Sequence, residues 1–318
     1  MDRFESMSAL VAVARAGGFS AAARQIGVPL ATISRRVADL EAALGVRLLH
    51  RTTRQVVLTE AGQVFFATCQ RVLDDLKDAE EAVTGEYRTP KGDLSVTAPM
   101  GFGRLHLQPV AMDFLAAYPE INLKLLLADR VVDLVEDQVD LALRIAELPD
   151  SAMIARTLGS VTMVVTASPE YLNRRGVPRH PTDLLRQDCI AWSALGPLNS
   201  WWFRIGNSDQ LVPLHTRLST TSAESAIAAA QSGLGLTQTT CYQAAQGLRD
   251  GTLRLVLREF ECAPTPVSLV YSGNRLLPLK LRAFIDFAAP RLSERLQSIS
   301  ATVTGATARA GDGGPTAS

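Results

Sequence analysis

Phe19-Ser20-Ala21-Ala22-Ala23-Arg24-Gln25-Ile26-Gly27-Val28-Pro29-Leu30-Ala31-Thr32-Ile33-Ser34-Arg35-Arg36-Val37 decides how the first part of this 318-residue chain folds. Ser20 offers a hydroxyl to cap a short helix, Ala21 to Ile26, and Gly27 permits a tight turn. Pro29 suits the first position of a further helix, where its missing N–H has no intrahelical partner. That helix runs to about Ala43. Its Ile33, Val37, Leu40 and Leu44 form an apolar stripe, while Thr32, Arg35, Arg36 and Asp39 fall on other faces and can meet solvent or a ligand.

Upstream, Phe4, Met7, Val11 and Ala14 recur at intervals of three, four and three, marking one buried face of a helix that Gly17-Gly18 ends. Beyond Gly45 the pattern turns extended. Leu48-Leu49-His50-Arg51 and Gln55-Val56-Val57-Leu58 predict two short strands joined by the polar turn Thr52-Thr53-Arg54, a β-hairpin wing. Thr59 then offers an N-cap, with Glu60 in the first turn of a long helix. Along that helix Phe65, Cys69, Val72, Leu76, Ala79 and Val83 are spaced four, three, four, three and four. This is a heptad seam flanked by Asp74, Asp75, Lys77, Asp78, Glu80 and Glu81. It reads either as a face packed on its own domain or as a dimerisation seam. The second is favoured, because a helix between domains has little else to bury the seam against.

Net charge is zero, but its distribution is uneven: between residues 24 and 54, Arg24, Arg35, Arg36, Arg47, Arg51 and Arg54 face only Asp39 and Glu41. A local surplus of this kind holds phosphates even when the rest of the chain cancels it. With 47% hydrophobic and 20% charged residues the chain is of a folded, soluble type, and no stretch approaches the ~20 apolar residues of a membrane span. Met1-Asp2-Arg3-Phe4-Glu5 interleaves charges where a secretory signal would run apolar, so a cytoplasmic location with no membrane partner is expected. Cys69, Cys189, Cys241 and Cys262 lie far apart with no CxxC pair, which argues for incidental thiols and against a zinc site or disulfide framework.

Gly85 to Gly92, with Thr89-Pro90, reads as a linker. From Leu94 strands and helices alternate: strand Leu94-Ala98, helix about Arg104-Ala117, strand Ile121-Leu127, helix Val131-Glu136, strand Val139-Ile145. Such alternation predicts βαβ units and a parallel sheet covered on both faces. A second region, about 161–266, has its own strands and helices, including Val161-Thr166, Trp201-Ile205 and Ala223-Gln231. Strand Val267-Tyr271 and helix Leu279-Leu296 then return to the first subdomain, and the connecting strands are expected to act as a hinge. The Gly-, Ala-, Thr- and Ser-rich residues 301–318 are expected to be disordered.

The stretch Phe19 to Arg24, then Ala31-Thr32-Ile33-Ser34-Arg35-Arg36-Val37, Leu40-Glu41, Leu44-Gly45-Val46-Arg47-Leu48-Leu49, Arg51 and Leu58-Thr59-Glu60-Ala61-Gly62, resembles the DNA-binding signature of the LysR-type transcriptional regulators. The resemblance continues through Pro119, Val132-Asp133-Leu134, Val139-Asp140-Leu141-Ala142-Leu143-Arg144, Leu148-Pro149-Asp150-Ser151 and Ala230 to Leu236, reaching about residue 297. It implies an α+β multidomain protein. An all-α winged helix-turn-helix occupies 1–59 and a linker and dimerisation helix 60–89. An α/β sensor resembling periplasmic binding proteins covers 90–300, with subdomain I at about 90–160 and 267–300 and subdomain II at about 161–266. The resemblance implies a sequence-specific DNA-binding regulator whose DNA binding or activation answers to a small-molecule effector between the subdomains. It also implies double-stranded promoter DNA as partner, RNA polymerase as a further candidate, and a homodimer or homotetramer, with tetramers favoured. One departure stands out. Many family members carry a polar residue, often Gln, at the position of Leu30 and a proline at that of Ala31, whereas here the proline is Pro29. Leu30 offers only apolar contact, as to a thymine methyl.

The candidate DNA-binding residues are therefore Ser20, Pro29, Leu30, Thr32, Ser34, Arg35 and Arg36, with Arg51 and Arg54 of the wing on phosphates or in the minor groove. For the effector, ligands of open α/β sheets bind beyond the carboxyl ends of the strands. That rule selects Ala98, Pro99, Met100 and Phe102 after the first strand, Asp129 after the second and Ile145 after the third. Thr221 and Ser222 open a helix whose N–H groups favour a carboxylate, so an organic anion is a candidate effector, with an ordinary helix cap as the alternative. Met100 and Phe102 point to a partly hydrophobic ligand. No cofactor or metal is called for. An enzyme is disfavoured, since GxSxG, GxGxxG, P-loop and HExxH patterns are missing and His50, His106, His180 and His215 are isolated from one another. A transport-type solute-binding protein would not explain the arginine-bearing N-terminal segment.

Overall fold

Asp2 starts the first helix, α1 (Arg3–Ala16), by accepting the N–H of Phe4 on Oδ1 at 2.9 Å, and Gly17 ends it in the left-handed region. The computed structural model describes residues 2–51, 56–84, 89–130, 132–134, 137–148, 153–192, 199–273 and 277–311. The chain divides into two compact units at Thr89/Pro90.

In the first unit, α2 (Phe19–Ile26) starts earlier than Ala21, with Gly18 at its cap position and no side-chain cap. Ser20 is thus an exposed residue inside the helix and not its cap. α3 (Leu30–Leu44) begins after Pro29, which takes the cap position outside the first turn. Ile33, Val37 and Leu40 are buried on the stripe that their spacing predicts. The wing is an antiparallel hairpin of β1 (Leu49–Arg51) and β2 (Val56–Leu58), with His50 opposite Val57 and Arg51 opposite Val56. Glu41 ties α3 to this hairpin, its Oε1 accepting the N–H groups of Leu48 at 2.8 Å and Leu49 at 3.1 Å.

The start of α4 (Glu60–Thr84) depends on two residues. Thr59 Oγ1 accepts the Gly62 N–H at 2.9 Å and donates to the Arg47 carbonyl at 2.8 Å. Gly62 passes so close to the wing that a Cβ there would lie 1.9 Å from the Leu48 carbonyl oxygen. Further along, Cys69 is only 1% exposed and belongs to the unit's own core with Leu10, Val13, Ile33, Val37, Leu40, Leu48 and Leu49. Phe65, Phe66 and Leu73 pack against the same core. The dimerisation role expected of Cys69 and Phe65 is therefore corrected: the early turns of α4 bury their apolar face at home.

The second unit holds two five-stranded sheets. β3 (Gly92–Ala98) leads through a short α5 (Met100–Phe102) and a π-helical turn, Gly103–Leu107, into α6 (Gln108–Ala117). β4 (Ile121–Leu127), β5 (Leu141–Ile145) and β6 (Met153–Val161) follow. The second sheet takes β7 (Met163–Ala167), after which come α7 (Pro169–Arg175) and β8 (Cys189–Trp192). A separate hairpin, β9 (Ser200–Ile205) with β10 (Ser208–Pro213), precedes β11 (Thr216–Thr220) and α8 (Ala223–Gln231). β12 (Leu236–Thr240), α9 (Cys241–Arg249), β13 (Arg254–Val256), β14 (Thr265–Ser272) and α10 (Leu279–Gly311) complete the chain.

The strand orders are β4-β3-β5-β14-β6 and β11-β8-β12-β7-β13. β3 runs parallel to β4 and β5, and β8 parallel to β11 and β12, but β14 is antiparallel to β5 and β6, and β7 to β12 and β13. Each sheet is thus mixed rather than wholly parallel. The physical reason is connectivity: the chain leaves the first sheet along β6 and returns along β14, and the strand by which it enters each sheet from the other, β7 in the second and β14 in the first, runs against the βαβ strands. Two other expectations fail. Residues 132–134 are not helical, and the Asp137 carboxylate instead accepts the Asp133 N–H at 3.0 Å while pairing with Arg130. Nor is the segment from 301 disordered throughout: α10 continues to Gly311, with Val303 buried and its carbonyl accepting from Arg258 Nη1 at 3.1 Å. Apolar spacing past Leu296, with Ile299 and Val303 both buried, outweighs the small-residue composition. Residues 312–318 lie outside the described residues.

Candidate nucleic-acid interface and ligand cleft

Opposite its buried stripe, α3 presents Leu30, Ala31, Arg35 and Ala38, all exposed. Leu30, at 48% exposure, is the large apolar side chain of this face. Arg35 has no ion pair among the described residues, and Thr32 and Ser34 are half-buried beside it. Pro29 and Ser20 are exposed at the helix starts, and Arg24, Arg47 and His50 add exposed basic groups that the candidate set leaves out. Arg36 differs from Arg35. Its Nη2 donates to Glu5 Oε2 at 2.6 Å, so this guanidinium ties α3 to α1 instead of standing open to a ligand. Thirty-one residues separate the pair, and no local pattern announces it. Arg51 lies in β1, but its side chain and the whole of Arg54 fall outside the described residues.

On α4, Val72 is half-buried and Leu76 exposed, while the side chains of Ala79 and Val83 lie outside the described residues. Burial raises the Cys69 thiol to about 11 and Cys189 to about 12, so neither is a reactive thiolate at neutral pH. Among the described residues no group of three or more His, Cys, Asp and Glu side chains is placed to hold a metal. No single helix among the described residues is long and apolar enough to cross a membrane.

The residues expected to face an effector separate into three groups. Ala98 and Phe102 are buried and belong to the core, which corrects both as ligand contacts. Phe102 meets the Tyr242 ring edge-on at 5.2 Å and the His106 ring at 5.0 Å, within one buried core. Met100 is 46% exposed, and its N–H donates to Asp129 Oδ1 at 2.9 Å, so Asp129 clamps the turn after β3. Pro99 and Ile145 are half-buried and Thr221 is exposed. Ser222 is an ordinary cap of α8, its Oγ accepting the Ser225 N–H at 3.2 Å.

Sequence reasoning passes over the side chains that join the two sheets. Arg104 pairs with Glu224, and a Cβ on Gly101 would lie 2.7 Å from Gln243 Nε2. His106 sits against Phe102 and Tyr242, its Nε2 buried without a hydrogen bond among the described residues. Burial, with help from Arg295 and Arg249, pushes the His106 pKa down to about 4, and burial pushes Tyr242 up to about 12. A π-helical turn such as Gly103–Leu107 marks functional sites often enough to single out Arg104 and His106. It has no signature in sequence spacing.

Two family models match the chain: the bacterial regulatory helix-turn-helix protein, lysR family, over residues 4–63, and the LysR substrate binding domain over residues 88–293. An HTH-type transcriptional regulator of Xanthomonas campestris pv. campestris is 37% identical over 287 residues, covering 89% of this chain and 83% of its own. The HTH-type transcriptional regulator CrgA of Neisseria meningitidis serogroup B is 35% identical, covering 92% and 98%. The solved structure of CrgA, a LysR-type transcriptional regulator, superposes with a TM-score of 0.58 at 34% identity, over 92% of this chain and 98% of that one. Full-length AphB, the Vibrio cholerae virulence activator, does so with a TM-score of 0.57 at 28% identity, over 89% and 97%. The relatives are named as regulators and not as enzymes, and the helix-turn-helix and two-sheet units stand where the models place them. The chain belongs to the LysR family of transcriptional regulators, with a DNA-binding helix-turn-helix unit followed by an effector-binding substrate domain.

Proposed function

We propose that the first unit reads a promoter operator through the exposed face of α3 and that a small molecule held between the two sheets of the second unit controls this binding or the activation that follows. The observation that carries the reading is the division of α3 into a buried stripe, Ile33, Val37 and Leu40, and an exposed one with Leu30 and Arg35. A helix so divided enters the major groove while its own domain holds it, and an unpaired arginine fork suits a guanine edge. Thr32, Ser34, Pro29 and Ser20 lie close enough in sequence to share the contact, with Arg51 and Arg54 of the wing on the backbone or in the minor groove. Dimers form through the later part of α4, where Val72 is half-buried and Leu76 exposed and Ala79 and Val83 continue the same spacing, and two such dimers make a tetramer. A dimer sets the two recognition helices ~34 Å apart, one turn of B-DNA. The protein works in the cytoplasm, with RNA polymerase as a further partner.

Fluorescence anisotropy with the duplex upstream of the protein's own coding region tests this. Arg35→Ala changes base preference, costing ~1–3 kcal/mol at one position. Arg54→Ala weakens binding on all sequences and lowers the salt slope by about one. A folded sample with no salt-sensitive affinity for duplex DNA overturns the proposal.

A further inference from the structure

Arg104 and Glu224 come from opposite halves of the second unit. Arg104 stands in the π-helical turn that follows β3, and Glu224 in the first turn of α8, which follows β11. Both sit beyond the carboxyl ends of parallel strands, the place where open α/β sheets take their ligands. Arg104 donates from Nη2 at 2.5 Å and from Nε at 3.1 Å to one oxygen, Glu224 Oε1. Ser222 Oγ donates to the other oxygen at 3.4 Å, which keeps the carboxylate over the helix start. The Arg104 and Glu224 side chains retain 50% and 52% of their exposure, so the pair adds little stability and exchanges readily. The helix start itself is already partly served: Ser222 Oγ accepts the Ser225 N–H, and Glu224 supplies the negative charge that its dipole favours. An incoming anion therefore meets a guanidinium that already carries a carboxylate of the protein.

We infer that Glu224 is a built-in occupant of a carboxylate seat on Arg104, and that a small monocarboxylate with an apolar body displaces it. This rests on the effector-controlled role proposed above, and it moves the anion from the Thr221–Ser222 turn to Arg104. The exposed thioether of Met100, four residues before Arg104, supplies apolar surface at the same strand end. Exchange opens the ionic bridge between the halves, while the buried Phe102–Tyr242 contact stays as pivot. The ligand thus binds the unbridged arrangement better than the bridged one, the differential affinity that any effector must have.

Calorimetric titration of the full chain with isovalerate, and with its neutral isostere isovaleramide, tests the exchange in wild type, Glu224→Gln and Arg104→Gln. Glu224→Gln keeps side-chain size and Arg104→Gln shortens the side chain at an exposed position, and thermal melting confirms that the variants fold. Removing the internal competitor tightens isovalerate binding about fivefold in Glu224→Gln, whereas Arg104→Gln weakens it at least about tenfold. Isovaleramide affinity is the same in all three. Equal isovalerate affinity in wild type and Glu224→Gln overturns the inference, as does binding retained by Arg104→Gln or no saturable binding by Glu224→Gln. Operator affinity is measured on the same samples. If wild type binds DNA while these carboxylate results fail, the seat is wrong and the regulator reading stands. If wild type does not bind DNA, that reading falls first.

Discussion

The two units solve the same problem, holding an exposed functional group on a rigid frame, at different sequence distances. In the first unit the frame is local: Thr59 caps α4 three residues before Gly62, Glu41 reaches Leu48 and Leu49, and a single glycine lets α4 pass the wing. In the second unit the frame is global. Phe102 packs on Tyr242, Arg104 reaches Glu224, and Arg258 holds the carbonyl of Val303, partners separated by 45 to 140 residues. Local frames arise from caps and turns that each residue carries with it. Global frames exist only once two sheets have been threaded by crossing strands.

If the contrast holds, the largest single-residue effect belongs to the local frame. Gly62→Ala forces a methyl into the Leu48 carbonyl and destabilises the first unit by ~3 kcal/mol, abolishing DNA binding at 37 °C while the second unit melts unchanged. Two calorimetric transitions, only one of them shifted, are the expected record, and a joint shift breaks the comparison.

An acid titration probes the global frame. The folded second unit keeps His106 neutral down to about pH 4, whereas the unfolded chain protonates it near the ordinary value of 6.5. The unfolded state binds the proton first, so stability is lost as pH falls from about 6.5 to about 4 and is unaffected above that window. With solvent screening of a partly wet ring the loss is ~2 kcal/mol. Denaturant melts of His106→Leu against wild type at both ends of the window check it, and a variant as acid-sensitive as wild type refutes the assignment.

Smaller effects sharpen the contrast. Val303→Ala removes a buried side chain from the last turns of α10 and costs ~1 kcal/mol, read from urea melts of the second unit. A disordered tail would show no change at all. Glu5→Gln costs about 0.5 kcal/mol, since the Arg36–Glu5 pair is part-exposed, and it frees Arg36. A gain in non-specific DNA affinity in that variant would show that the arginine becomes available once its tie to α1 is cut.

Much of the first unit was legible because its signals are short-range. The stripe Ile33, Val37 and Leu40, the wing strands and the Thr59 cap were readable from spacing, and their burial and pairing follow. Local reading erred where another element intervened: Ser20 stands two positions and Pro29 one position from the expected place in the helix, Arg36 is claimed by Glu5, and Cys69 by its own core. Of the effector contacts, strand-end positions were readable, yet Ala98 and Phe102 proved to be core and Asp129 and Ser222 to serve the backbone.

By itself the sequence determined the helical and extended segments of the first unit and the basic surplus between residues 24 and 54, because periodicity, capping and charge act over a few residues. Only the tertiary structure decided which arginine is open and which is tied, that both sheets are mixed, and that Arg104 and Glu224 meet. Those outcomes depend on which distant strands cross and pair, and contacts between groups more than a hundred residues apart leave no trace in the spacing of either partner.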